Sequence, residues 1–517
     1  MKELVDRVWD VIVIGTGMGG GTAGRALAEA GKSVLFLEKG RQGIRTERQG
    51  IDQSLTDPVA RSIRGFWPDE VSGTVNGKQQ QFLPPLGTGP GGSSVFYAAT
   101  LERPEPHDLD HSDARPHPTG GWPVRYEDMR PWYDKAEAQF QVHGEVDPLC
   151  TVPNPSLAPP LESTATDSAI FERLRSNGQH PYHLHIAIAN VEGCLGCLGV
   201  KCPRACKMDG RSAGVEPALA TGRATLLDEC EVTALHGSAE QITHVSAIRH
   251  GEHLEFRARQ YVLAAGALNS PRLLLASRNS HWPQGCANQH DQVGRNLMFH
   301  VNEIFAIWPP HRGGPVSPSK ALGLRDMYSV QGQRLGMVQA MGVNVSHGLI
   351  AQFMKEQMEE LGLGRFSRLA HLAAWPATQA LGTAQLFVGL LEDMPYVNNR
   401  VTLNVDQPAR MQFEYTMQPE LRQRRKLFRQ SIKRAFRGLH PIFGGWVPNL
   451  NYGHACGTLR SGTDPKTSVV DADCRVHGLD NLYVADSSFF PTSMGVNPSL
   501  TIAANALRVA HLMSERP

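Results

Sequence analysis

Cysteine is sparse in this chain. There are nine in 517 residues, and four of those crowd into residues 194–206. So thin a supply excludes a disulfide-built scaffold. Net charge is nearly absent as well: Lys and Arg number 51, Asp and Glu 50, for a formal charge of +1. Without a basic excess there is no field to gather nucleic acid or an anionic membrane surface. The opening stretch, MKELVDRVWDVIVIG, lacks a basic region followed by an apolar stretch and a small-residue cleavage site. No secretory leader is expected there, and the cytoplasm is the expected location. Export alongside a signal-bearing partner subunit is the alternative. Long unbroken apolar runs are also missing. Residues 369–391 carry no Asp, Glu, Lys or Arg, but His371, Pro376, Gln379, Gly382 and Gln385 interrupt them. A membrane span needs ~20 predominantly apolar residues. Two short helices, buried or docked on the surface, are expected here instead, with no membrane contact. Glycine (51) and proline (35) are plentiful, which implies many turns and close backbone approaches. The length calls for two or three domains, or two domains interleaved along the chain.

Residues 10–40 read DVIVIGTGMGGGTAGRALAEAGKSVLFLEKG. The apolar strand VIVI runs into the turn GTGMGG. TAGRALAEAG then repeats small and apolar residues at helical spacing, Gly31 stops it, and SVLFLE is a second buried strand. Strand, turn, helix and strand within ~30 residues make a βαβ unit. Gly15, Gly17 and Gly20 place G-x-G-x-x-G in its turn. The first glycine allows the bend, the second lets a pyrophosphate approach the backbone, and the third packs the helix close. The positive helix N-terminus suits the phosphate charge. Glu38 ends the second strand, where an acid bonds ribose hydroxyls.

A glycine–serine loop, GTGPGGSSVFYAATLERPEP, follows from residue 87. Its amides suit a flat or charged ligand, or it is an ordinary loop. RQYVLAAGALNSPRLLLAS, from residue 259, repeats the plan of strand, glycine (Gly266) and helix. Near the C-terminus, NLYVAD is a strand ending in Asp486. GVNPSLTIAANALRVA then opens a helix, with Asn497 at the N-cap and Pro498 at its first position.

Taken in order, these pieces resemble the glucose–methanol–choline (GMC) family of FAD-dependent alcohol oxidoreductases. HACGTLRSGTDPKTSVVDADCRVHGLDNLYVADSSFFP and GVNPSLTIAANALRVA carry most of the resemblance, supported by GALNSPRLLLAS, GGSS and VGRNLM. It covers both ends strongly and the middle weakly. It implies an α/β fold. A Rossmann-like FAD-binding domain would be assembled from residues 1–145, 190–300 and 446–517. A substrate domain with an antiparallel sheet would come from 146–189 and 301–445. Gly15, Gly17, Gly20 and Glu38 would then hold the ADP half of FAD, and Gly91, Gly92, Ser93 and Ser94 would lie along the pyrophosphate and isoalloxazine. Val232 would meet the adenine, Asp486 the ribityl chain, and amides of the helix at Pro498 the flavin pyrimidine. Tyr97 stands where many members have Asn or His, and in some that His bonds FAD covalently. Non-covalent FAD is therefore implied.

The resemblance also implies the chemistry. His454 and Asn497 match the family's His/Asn pair. Oxidising an alcohol removes the hydroxyl proton and moves a hydride from carbon to flavin N5. An imidazole titrates near neutrality and suits the proton. A second polar group must hold the developing alkoxide in line. His454 would do the first and Asn497 the second. The implied substrate is a polar small-molecule alcohol such as a sugar or aminosugar, with a sterol or long-chain alcohol as the alternative. Electrons would pass to oxygen or to a redox acceptor, a cytochrome among them. A non-redox flavin lyase or decarboxylase is the other enzymatic reading.

The spacing C-x2-C-x4-C-x3-C, from Cys194 to Cys206, leaves three readings open. Packed thiols, with or without one disulfide, are the first. Zinc in a thiolate site, as an interaction module, is the second. The third is an iron–sulfur cluster on Cys197, Cys202 and Cys206, whose spacing resembles that of certain GMC-type sugar dehydrogenases.

Overall fold

Short apolar runs, each followed by a glycine turn, build the first layer. Val8–Ile14 is buried from Val11 onward, as a central parallel strand flanked on both faces must be. It pairs in parallel with Val34–Leu37 on one side and Glu252–Leu263 on the other. Ala224–Leu227 extends the sheet beyond Val34–Leu37, and Leu482–Val484 joins beside residues 261–263. The first half of Glu252–Leu263 turns to a different partner. It continues into an antiparallel meander with Ile242–Arg249 and Cys230–Gly237. One sheet thus draws strands from the start, the middle and the end of the chain. The computed structural model describes residues 1–48, 57–152, 154–189, 191–309, 320–342, 347–381, 384–445 and 447–516.

A second sheet is antiparallel throughout. Met298–Ile307 sits among Gln385–Leu391, Ile442–Phe443 and Asn449–Cys456. Val338–Ala340, Leu322–Leu324 and Tyr182–His183 extend it. A smaller sheet joins Arg400–Leu403, Met411–Tyr415, Val71–Val75 and Lys78–Phe82. Strand pairing crosses the expected division of the chain. Residues 71–82 pair with a strand beyond residue 400, and Asn449–Cys456 pairs with Met298–Ile307.

Residues 369–391 differ from the two expected helices. Ala370–Leu381 is a helix that contains Pro376, but Gln385–Leu391 is a largely buried strand. A short apolar run suits either form, and pairing on both edges decided it. Gly382 lies outside the described residues. Among the described residues no helix is long and apolar enough to cross a membrane.

Candidate active site

The parallel strands end together at Ile14, Leu37, Leu263 and Val484, and a cleft of about 470 Å³ opens beyond them. Ligands of open α/β sheets bind at such carboxyl ends. The second sheet roofs the cleft with residues from Met298–Ile307, Val338–Ala340 and Asn449–Cys456.

The three glycines divide the labour as their spacing suggests. Gly15 has φ +93°, and a Cβ there would lie 2.5 Å from the Ala264 carbonyl oxygen. At Gly20 a Cβ would lie 2.1 Å from the Gly15 carbonyl oxygen, so the helix Met18–Glu29 can approach its own turn only without one. Around Gly17 a Cβ would meet nothing within 4 Å, and Gly17 lines the cleft. The open space lies where a pyrophosphate would come.

Glu38 also lines the cleft, and its carboxylate is already engaged. Oε2 accepts from the Thr16 amide at 3.0 Å and from the Thr16 hydroxyl; Oε1 accepts from the amides of Gly40 at 2.8 Å and Gly89 at 3.0 Å. Four donors match the capacity of a carboxylate. Glu38 therefore braces the glycine turn against the second glycine loop. That loop is seated by the Gly91 amide, which donates to the Thr16 carbonyl at 3.0 Å. Gly92, Ser93 and Ser94 follow in a short 3-10 turn along the cleft. The Ser93 hydroxyl accepts from the Gly87 amide and the Ser94 hydroxyl from the Gly210 amide. Val232 reaches the cleft where a register shift interrupts its strand's pairing. Asp486 is buried beyond its strand. It accepts from the Gly266 amide at 2.8 Å, the Ser270 hydroxyl at 2.5 Å and the Ser488 amide at 2.9 Å. Burial raises its pKa against those bonds.

His454 and Asn497 both line the cleft. His454 comes from the end of Asn449–Cys456. Its Nδ1 stands 3.0 Å from Nδ1 of His300, a fully buried ring. His300 Nε2 in turn stands 2.9 Å from the Met494 carbonyl oxygen. A carbonyl only accepts, so His300 must carry its proton on Nε2. Its Nδ1 is then a bare acceptor, and His454 must donate from its own Nδ1. The lone pair of His454 is left on Nε2. Burial, helped by neighbouring His300, holds the His454 pKa well below the ordinary imidazole value. Burial does the same to His300. Met494 has φ +63°, a left-handed conformation uncommon for a side chain of that size. Its carbonyl fixes the tautomers of both rings.

Asn497 differs from its expected role as an N-cap. The helix runs Ser499–Glu515, Pro498 caps it, and no side chain bonds the free amides of its first turn. Helix ends shift by a residue when the first carbonyl acceptor is the proline's own, and here Ile502 N donates to the Pro498 carbonyl at 3.0 Å. The Asn497 side chain is buried, and its Oδ1 has no partner. Among the described residues this acceptor is unpaired, and Asn497 lines the same cleft as His454.

His300 is the functional residue that motif matching did not equip with a role. Its signal was a period of two: His300 and Asn302 interrupt the apolar strand MFHVNEIFAI on one face.

Cys197, Cys202 and Cys206 come together as buried free thiols, with Cys194 against them. Burial opposes ionisation of Cys202, but amides of Lys207, Cys206 and Arg204 outweigh it and lower its pKa. Burial pushes Cys206 up to about 11. Among the described residues no group of three or more His, Cys, Asp or Glu side chains is arranged to hold a metal ion.

The family description GMC oxidoreductase matches residues 10–302 with its N-terminal part and 395–506 with its C-terminal part. A 6'''-hydroxyparomomycin C oxidase of Streptomyces lividus is 28% identical over 99% of this chain and 93% of its own length. A paromamine 6'-oxidase of Streptomyces fradiae is 27% identical over 98% and 91%. Among solved structures, pyridoxine 4-oxidase from Mesorbium loti superposes with a TM-score of 0.65 at 19% identity, covering 98% of this chain and 99% of that one. That last likeness is one of fold.

Proposed function

From the premise that the chain belongs to the GMC oxidoreductase family, we propose that it oxidises a polar, hydroxylated alcohol with His454 as the base and Asn497 as its partner. The chain is an FAD-dependent oxidoreductase acting on an alcohol, and FAD bound in the cleft supplies the acceptor of the hydride. The single observation that carries the assignment of roles is the His454–His300–Met494 chain, which leaves a bare Nε2 at the cleft. Nε2 takes the hydroxyl proton. The carboxamide of Asn497 holds the substrate oxygen by donating from Nδ2, since the only proton of the hydroxyl goes to His454. The new imidazolium stays bonded to His300 through Nδ1–H, and the Met494 carbonyl keeps His300 from turning.

Gly15, Gly17, Gly20, Gly91, Gly92, Ser93, Ser94, Val232, Asp486 and Pro498 would hold the cofactor, with the Glu38 carboxylate bracing the turn from within. We assign it a non-covalent attachment. Tyr97 stands at the position of the covalent histidine, and its hydroxyl donates to the Met208 carbonyl. Burial raises its pKa, which disfavours the phenolate and supports a non-covalent attachment. Acid precipitation of the holoenzyme is expected to release all the flavin into the supernatant; yellow colour retained in the pellet would contradict this. Oxygen is the acceptor we propose, because both aminoglycoside-related relatives are named oxidases. No electron is routed through Cys197, Cys202 and Cys206. The nine free thiols support a reducing compartment such as the cytoplasm.

The test is anaerobic mixing of the flavin-loaded enzyme with alcohols. Bleaching of the flavin absorbance supports an alcohol oxidation. A flavin that no alcohol bleaches would instead favour a non-redox reaction.

A further inference from the structure

The roof of the cleft mixes apolar side chains, Ile304, Val388 and Leu390 among them, with polar ones that carry no formal charge. Asn302, Gln339 and Asn451, from three strands of the second sheet, line it. Two of them are tied into a ladder. Asn451 Nδ2 donates to Asn302 Oδ1 at 3.4 Å, and Asn302 Nδ2 donates to Asn449 Oδ1 at 3.3 Å. Gln339 stands apart. Its side chain is 5% exposed, and among the described residues no donor meets its buried Oε1. Across the neighbouring strand its row continues through Val388 to Ile304, two apolar side chains with nothing to give. A buried carbonyl left unpaired is costly, and the open side of Gln339 is the cleft. A bound molecule can supply the missing donor there.

Register sets where that donor must be. His454 lies near Met298, which pairs with Cys456, whereas the Gln339 row meets the same strand at Ile304. The group that meets Gln339 is therefore remote from the hydroxyl at His454.

The charges in the lining set what kind of donor fits. Four charged side chains line the cleft: Glu38, Lys39, Glu231 and Asp486. All lie on the side of the parallel sheet, and each is engaged. Lys39 pairs with Asp69 and Glu231, while Glu38 and Asp486 accept the bonds described above. The roof contributes none. An ammonium group placed under it would lose water and gain no counter-charge. A hydroxyl loses little, because a carboxamide both donates and accepts as water does.

We propose that Asn302, Asn451 and Gln339 form a substrate subsite for a neutral polyhydroxylated alcohol of carbohydrate type, with Gln339 accepting from a hydroxyl remote from the one oxidised. This rests on the alcohol oxidation proposed above. It separates the chain from an aminosugar oxidase, and it equally disfavours a long-chain alcohol, which would leave Gln339 Oε1 unpaired.

The experiment follows flavin bleaching anaerobically, and steady-state turnover with oxygen or an artificial acceptor, in the holoenzyme. The probes are neutral hexoses and disaccharides, their amino-substituted counterparts, and benzyl alcohol as a small reference. Neutral sugars are expected to exceed their amino counterparts in kcat/KM by about tenfold or more, the discrimination of a site that leaves one partner unpaired. Gln339→Leu is expected to raise KM for the neutral sugar about tenfold with a smaller change in kcat, since it removes binding away from the reacting bond. Gln339→Glu, nearly the same shape, is expected to shift the preference toward the amino sugar. Bleaching by benzyl alcohol together with faster bleaching by amino sugars, or a Gln339→Leu enzyme with the parent KM, overturns the subsite alone. Retained FAD that none of the probes bleaches overturns the alcohol oxidation and the subsite with it.

Discussion

Replacing His454 with alanine is expected to lower kcat/KM for alcohol oxidation by about 10²–10⁴-fold, the usual worth of a positioned general base. FAD should remain bound, because the hydrogen bond that His454 makes in this structure is the one it donates to His300. Steady-state rates beside the flavin-to-protein ratio check both halves. Full activity in the variant would remove His454 from the chemistry. The pH profile follows from the same geometry. The His454 pKa is lowered, so the ring is already a neutral base at the ordinary histidine value of about 6.5. The acid limb of kcat/KM should therefore lie below that pH, with no loss of base on going up to neutrality. His300→Asn tests the positioning role. Removing the second ring takes away one cause of the depressed pKa and frees the His454 tautomer. The acid limb should move to higher pH, and kcat should fall more than KM rises. A ring that merely packs would leave the limb in place. Stability carries the matching sign. Both imidazoles stay neutral in the fold, while the unfolded chain binds protons below about pH 6.5, so acid favours unfolding.

Much of this site could be read from the sequence because its signals are local. Gly15, Gly17 and Gly20 sit between a strand and a helix that any periodicity analysis finds, and the structure places two of those glycines against backbone oxygens. Glu38 was found by its position at a strand end, but not its use as a brace. The donors it accepts from include Gly89, whose nearness to residue 38 depends on tertiary folding. His300 was harder still. Its importance comes from a bulged pairing between Met298–Ile307 and Asn449–Cys456, strands about 150 residues apart in the chain. No local pattern encodes which histidine lies opposite which. The strand Gln385–Leu391 was misread for a related reason. An apolar run shorter than two helical turns carries no period, and only its two neighbours define it as a strand. The cysteines show the opposite limit. Their spacing brings the thiols together, but spacing alone assigns them no role.

The pair Gly17→Ala and Gly20→Ala should separate cofactor binding from folding. At Gly20 an added methyl would start 2.1 Å from the Gly15 carbonyl oxygen and 3.1 Å from the Ala264 methyl. The nearer atom is backbone at the base of the turn, so the helix Met18–Glu29 must lift. Overpacking of this kind costs roughly 1–3 kcal/mol, and more where a backbone atom must yield. The helix cannot lift freely. At Gly19, one residue before, a Cβ would stand 1.5 Å from the Ala485 carbonyl oxygen, so the helix is pinned against the strand end beside Asp486 as well. Gly20→Ala is therefore expected to lower Tm and to yield protein largely free of flavin. Gly17 has φ −65° and ψ −163°, which alanine adopts without strain, and open space around it. Gly17→Ala should fold with the parent Tm once both proteins are stripped of flavin. The methyl would then occupy the approach to the helix N-terminus, where the pyrophosphate is expected. FAD affinity should fall about tenfold or more, a loss of about 1.4 kcal/mol or more. Flavin titration of the stripped proteins and thermal unfolding without FAD measure the two effects independently. Parent FAD affinity in Gly17→Ala would move the pyrophosphate away from this turn and with it the whole placement of the cofactor.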